Sequence, residues 1–192
     1  MGMLILGLLL FLGVHSTRIV ADGWRTTMMA RLGEGPWKGL YALLSLIGFA
    51  LLVWGYGLAR QQPVALWQPP TGMRHAASLL MLIAFVLLAA TYVPRNAVKA
   101  RLHHPMVLAV KVWALAHLLS NGNLAHVILF GTFLLWAALS FRAARARDRV
   151  AGTVYPAGTA AGTGMTVVVG VAAWALFAFW AHGALIGVQP IG

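Results

Sequence analysis

Six apolar stretches separated by short connections fill most of the chain. Segments of this length and greasiness dissolve in a bilayer rather than pack as the core of a water-soluble domain. Each span needs about 20 residues to cross roughly 30 Å of hydrocarbon, so six of them nearly exhaust 192 residues. The expected architecture is all-α, a polytopic six-helix transmembrane bundle, with no room for a separate soluble catalytic domain.

The charge pattern agrees with that reading. Only 9% of the residues are charged, and 14 Lys and Arg stand against Asp22, Glu34 and Asp148. In a soluble protein this basic excess would point to nucleic acid. Here the basic residues sit between apolar stretches, so they read as a topology signal and no nucleic-acid partner is expected. Cysteine is absent, which excludes disulfides, thiolate-held metals and covalently attached c-type haem.

The opening MGMLILGLLLFLGVHS has no basic residue before its apolar run and no small-x-small cleavage site, so it reads as a retained first helix. It is the shortest of the six before a charge, and a tilted or peripheral position suits it. The second run covers 37–59, after the turn-like GEGP at 33–36, and the third covers 73–93, closed by Pro94. The fourth covers 105–120, with Pro105 in its first turn. Asn121, Gly122 and Asn123 turn the chain into a fifth run that ends at Phe141. RAARARDRV and a Gly/Ala/Thr-rich stretch at 151–164 lead to the sixth, at 165–188. Residues 1–150 are thus expected to hold the main transmembrane domain, and 151–192 a flexible connector and a sixth helix packed on the same bundle.

Basic residues fall in alternate connections: Arg18, Arg25, Arg31 and Lys38; then Arg95, Lys99 and Arg101; then Arg142, Arg145, Arg147 and Arg149. The opposite side receives only Arg60 and Arg74. The positive-inside bias places both termini on the periplasmic side of a bacterial inner membrane, with membrane lipids as the surrounding partner.

The seven histidines are the richest source of chemistry, because imidazole ligates haem and metals and exchanges protons near neutral pH. His15 and His117 lie on oppositely directed helices and fall in the middle part of the membrane, within roughly 10 Å of each other in depth. They read either as cofactor ligands or as structural hydrogen-bonding groups between helices. Asn121, four residues beyond His117, either orients its ring or satisfies the helix end. His103 and His104 precede Pro105 and read as an interfacial pair or a helix cap. Lys111 lies on roughly the face of His104, about 10 Å into the membrane, where it snorkels or attracts an anionic group such as a haem propionate. His75, His126 and His182 lie toward the other side and match no zinc-binding spacing. Phosphate-cradling glycine loops and a spaced hydrolytic triad are not found.

Three motifs are specific: LGVHSTRI at the first helix, AATYVPRNAVK after the third, and HHPMVLAVKVWALAHLLSNG through the fourth. By these motifs the chain resembles the NnrU family of bacterial membrane proteins, from about Leu4 to Asp148. The resemblance implies a part in denitrification and nitric-oxide metabolism. It also implies a distant link to 15-cis-zeta-carotene isomerase, a haem b membrane enzyme of plants and cyanobacteria. That enzyme's haem-associated histidines fall on patterns like HS at His15 and AHLL at His117, with HP at His104. The implied cofactor is therefore haem b, ligated by His15 and His117, with His104 as an alternative ligand or an active-site neighbour. His103 stands where the isomerase-like pattern often has arginine, so Lys111 takes over a propionate contact only if the fourth helix bends or tilts.

The leading expectation is an NnrU-like membrane protein that binds haem b and supports nitric-oxide or nitrogen-oxide metabolism beside a nitrogen-oxide reductase partner. Stand-alone nitric-oxide reduction is not expected, since a second ligand set for non-haem iron is lacking. A haem-dependent cis/trans isomerase of an apolar polyene such as zeta-carotene is the second reading. A non-enzymatic scaffold or transporter is the third.

Overall fold

The computed structural model describes residues 1–191. In order the helices are α1 (Gly2–Val20), α2 (Asp22–Leu32), α3 (Glu34–Ala59), α4 (Met73–Tyr92), α5 (Ala97–Leu102), α6 (Pro105–Ser120), α7 (Leu124–Ala151) and α8 (Ala160–Leu176). A π-helical segment, Phe177–Ala181, then carries α8 into α9 (His182–Ile186). Among the described residues the only sheet-like pairing is one isolated bridge between Ala65 and Asn123.

Among the described residues five helical runs are long and apolar enough to cross a membrane: α1, α3, α4, α7 and the run from α8 through α9. The sixth apolar helix, α6, has 16 residues, or about 24 Å at 1.5 Å per residue. The protein is thus a multi-pass helical membrane protein. Large apolar side chains such as Leu9, Leu46, Leu79, Leu135, Val168 and Phe179 are exposed on the helices. In water such a surface would aggregate, whereas hydrocarbon makes it the favourable outer face.

Most spans fall close to their sequence limits, and the differences have physical causes. The second span begins at Glu34 rather than residue 37, because the turn is confined to Gly33, whose φ of +86° suits glycine. The fifth does not stop at Phe141 but runs to Ala151. RAARARDRV has the alanines and arginines of a good helix former, so polarity ends the membrane span without ending the helix. Helices α2 and α5 occupy connections that hydrophobicity could not reveal as helical.

The sixth helix starts at Ala160, inside the stretch expected as a flexible connector. Thr159 caps it by accepting from Gly162 N at 3.0 Å. Thr159 N donates to Arg95 O at 2.7 Å, and Ala97 N donates to Thr163 Oγ1 at 3.0 Å. These bonds tie the connector to the turn after α4. Asn96, 1% exposed, organises that turn: its Nδ2 donates to Ala90 O and Val93 O, while its Oδ1 accepts from Lys99 N.

Packing runs from α3 to α1, α7, α6, α4 and then α8. The central cluster joins Leu4, Leu8 and Leu12 of α1, Leu52 of α3, Ala114 of α6 and Phe130 of α7. Between α1 and α3 the backbones nearly touch at Gly7, Gly48 and Gly55, as small residues permit in membrane helices. A Cβ on Gly48 would stand 2.7 Å from Phe11 N and 2.9 Å from its Cα. The obstruction is backbone, so no side-chain rotation relieves it.

Gly48→Ala is therefore expected to loosen α1 from α3 and to lower the thermal unfolding midpoint in detergent, with a cost of about 1–3 kcal/mol. Gly57→Ala, on the same helix with nothing within 4 Å of the added carbon, should melt like the wild type. Equal midpoints for both variants would refute the close-packing account.

Candidate functional site

His15 and His117 are held in the same way on two different helices. His15 Nδ1–H donates to Phe11 O at 2.7 Å, and His117 Nδ1–H donates to Trp113 O at 2.8 Å. Each acceptor lies four residues earlier, the spacing that places a helical side chain over the preceding turn. A carbonyl only accepts, so the bond fixes the proton on Nδ1 and leaves the Nε2 lone pair free.

Aromatic rings surround both imidazoles. His15 lies 4.3 Å from the Phe11 ring, 5.3 Å from Tyr41 and 6.2 Å from Trp136, centroid to centroid. His117 stacks on Phe130 at 4.4 Å and meets Trp113 at 5.4 Å. A continuous series of rings joins the two sites, from Phe11 to Phe133 at 6.0 Å and from Phe133 to Trp113 at 5.3 Å. α7 supplies Phe130, Phe133 and Trp136 and packs against both α1 and α6. The region between the histidines is thus apolar and aromatic.

Of the two contacts open to Asn121, the structure makes the one to the helix end. Its Nδ2 donates to the His117 carbonyl at 2.9 Å and to Ser120 Oγ at 3.1 Å, while the ring is oriented by Trp113 O. Lys111 is half-buried on α6 and meets no acidic group among the described residues. His75, His126 and His182 do not form a metal site: among the described residues no group of three or more His, Asp or Glu is arranged to hold an ion. His126 instead stacks on Phe130 at 6.1 Å and meets the edge of Tyr56. His182 Nδ1–H donates to Val188 O, and His75 lines a groove of about 690 Å³ with Arg74 and Trp174.

His104 lies apart from the central pair, in a polar cluster at the basic end. Its Nε2 is 2.8 Å from Asp148 Oδ2, and Tyr155 OH donates to the same oxygen at 3.0 Å. His103 Nδ1 approaches that oxygen at 3.5 Å, and its ring lies 4.0 Å from the Tyr155 ring. Both histidines have positive φ, 59° at His103 and 24° at His104, a conformation that costs of order 1–3 kcal/mol for a residue with a Cβ and persists only where its surroundings impose it. Asp148 draws both rings to one point, holding His104 away from the extended backbone that a residue before proline ordinarily takes. Burial raises the pKa of the Tyr155 hydroxyl above the ordinary phenol range, and the adjacent Asp148 carboxylate raises it further.

Sequence reasoning found His103 and His104 but not Asp148 or Tyr155. The available signal was scarcity, since Asp148 is one of three acidic residues in the chain. The aromatic rings between His15 and His117 were also missed, because bulky apolar residues on a membrane helix look alike whether they face lipid or a site.

A family model described as NnrU protein matches residues 3–190. No curated protein and no solved structure matches the chain.

Tyr155→Phe removes the donor that anchors the connector to α7, so backbone amides at 153–159 should exchange with deuterium several-fold faster than in the wild type. Amides inside α4 should be unaffected, and unchanged exchange at 153–159 would show that the phenol does not hold the connector.

Proposed function

The chain belongs to the NnrU family, and on that premise we propose that this multi-pass membrane protein binds haem b between α1 and α6 and supports nitric-oxide or nitrogen-oxide metabolism. One observation carries the haem reading: His15 and His117 each have Nδ1–H committed to a carbonyl four residues earlier, at 2.7 and 2.8 Å. To hold a haem iron an imidazole needs a fixed tautomer with a free Nε2 and an anchored ring, and that hydrogen bond would provide both. The donor set fits haem b rather than a c-type haem, since the chain has no cysteine. The rings of Phe11, Trp113, Phe133 and Trp136 offer the apolar surroundings that a macrocycle requires.

His15 and His117 would hold the iron, and haem held by both would supply one-electron redox chemistry, with a diatomic gas admitted only if one histidine gave up its place. The residues of the chain prepare the site. Phe11 and Trp113 present the carbonyls that set each tautomer, the aromatic rings exclude water, and Asn121 closes α6 one turn after His117. The nitrogen-oxide assignment rests on the family resemblance, and a reductase partner in the same membrane belongs to that assignment. His104 is the alternative ligand or neighbour that the resemblance implies, and with Nε2 engaged by Asp148 at 2.8 Å it would ligate only through Nδ1.

The polyene-isomerase reading calls for an open path from lipid to the histidine pair. A polyene entering by the groove of about 690 Å³ between α4 and α8, lined by Thr71, Ser78 and Trp174 among others, would not meet His15 or His117, which do not line it.

Visible spectra and haem stoichiometry of detergent-purified protein, expressed with added haem precursor, test the proposal. Wild type should carry near-stoichiometric haem, whereas His15→Ala and His117→Ala should lose it or shift its Soret band. Asn121→Ala should melt earlier yet keep the wild-type spectrum, because its contact is to a carbonyl and not to the ring. Folded wild type that stays haem-free, or variants with unchanged spectra, would refute haem ligation by this pair.

A further inference from the structure

Three arginines of α7, Arg142, Arg145 and Arg149, line a groove of about 620 Å³ together with Phe141. Their i, i+3, i+7 spacing puts them on one face of the helix. None of them meets an acidic side chain among the described residues. Asp148, the acidic residue of this helix, is committed to His103, His104 and Tyr155. Arg147 is also used elsewhere, donating to Arg18 O at 3.0 Å. Three like charges are thus gathered along one groove without a counter-charge from the chain, an arrangement that destabilises the helix unless an anion joins it.

Depth indicates which anion. With α7 starting at Leu124, Arg142 lies about 27 Å along the helix, Arg145 about 31 Å and Arg149 about 37 Å. Hydrocarbon occupies roughly 30 Å and each headgroup layer several more, so the arginines bracket the headgroup layer and Phe141 sits at the edge of the hydrocarbon. A phosphodiester at this level accepts paired N–H bonds from guanidinium groups, while the acyl chains descend past Phe141. We propose that the Arg142–Arg145–Arg149 groove is a binding site for an anionic phospholipid headgroup, with the lipid seated at the membrane boundary. The site is independent of any cofactor at His15 and His117.

The test is thermal unfolding of delipidated full-length protein in neutral detergent, titrated with short-chain phosphatidylglycerol, phosphatidylcholine of the same chain length, or inorganic phosphate. Phosphatidylglycerol should raise the midpoint at far lower concentration than the other two. Its apparent affinity should fall about fivefold for each arginine replaced in Arg142→Gln, Arg145→Gln and Arg149→Gln, the contribution expected of one basic residue at an anionic surface. Arg31→Gln removes the same charge from exposed α2 and should leave the affinity unchanged. Equal stabilisation by phosphatidylcholine would overturn the proposal without recourse to a variant. Equal stabilisation by inorganic phosphate would overturn the lipid as ligand, and an equal loss in Arg31→Gln would reduce the site to diffuse charge.

Discussion

Inside hydrocarbon a polar group that finds no partner in the chain finds none at all, and most of this structure follows from that constraint. The backbone responds by forming helices. Several side chains with hydrogen to donate respond by turning back on the helix that carries them, whereas Ser45 Oγ, Trp136 Nε1 and Trp174 Nε1 are buried without a partner. Thr91 donates to Leu87 O, Thr132 to Ile128 O and Thr166 to Gly162 O, each to the carbonyl four residues earlier. His15 and His117 follow the same rule. In a hydroxyl the rule ends the matter, but in an imidazole it satisfies one nitrogen and leaves the other facing a water-poor interior. The arrangement that makes these histidines tolerable in a membrane also makes them candidates for a metal.

Where the helices stop, the same constraint is met across loops. Asn96 satisfies the end of α4 and the start of α5 with one buried side chain. At the opposite end, the loop after α3 pairs with the turn between α6 and α7: Leu66 N donates to Gly122 O at 2.8 Å and Leu124 N to Val64 O at 2.9 Å. Gly122 lies so close to Trp67 O that a side chain there would overlap it. The specific motifs AATYVPRNAVK and the NGN turn are in this sense joints of the scaffold. The α4 joint carries no ligand-like geometry, and its value is that it sets the positions of α4, α6 and α8.

The two ends of the bundle use charge differently. At the basic end Asp148 gathers two histidines and a tyrosine, while Arg142, Arg145 and Arg149 remain without an internal partner. At the other end Arg60 reaches Ile186 O at 3.0 Å and lies 5.7 Å from the Tyr56 ring centroid. One scarce carboxylate therefore defines a polar cluster, because its neighbours compete for it and no other is near.

The sequence by itself determined the membrane class, the approximate limits of the spans and the candidacy of His15 and His117, since hydrophobic length and the depth of a histidine along a helix are one-dimensional quantities. The extension of α7 past Phe141 escaped hydropathy, which registers where the lipid ends and not where the hydrogen-bond ladder ends. Only the tertiary structure decided that Asn121 serves the carbonyl of His117 and not its ring, that His104 belongs to Asp148 and Tyr155, and that 153–159 is tied to Arg95. Each of these depends on which residues of distant segments share a face, and that is settled by helix rotation and close approach, such as the glycine contact between α1 and α3, which spacing along the chain does not encode.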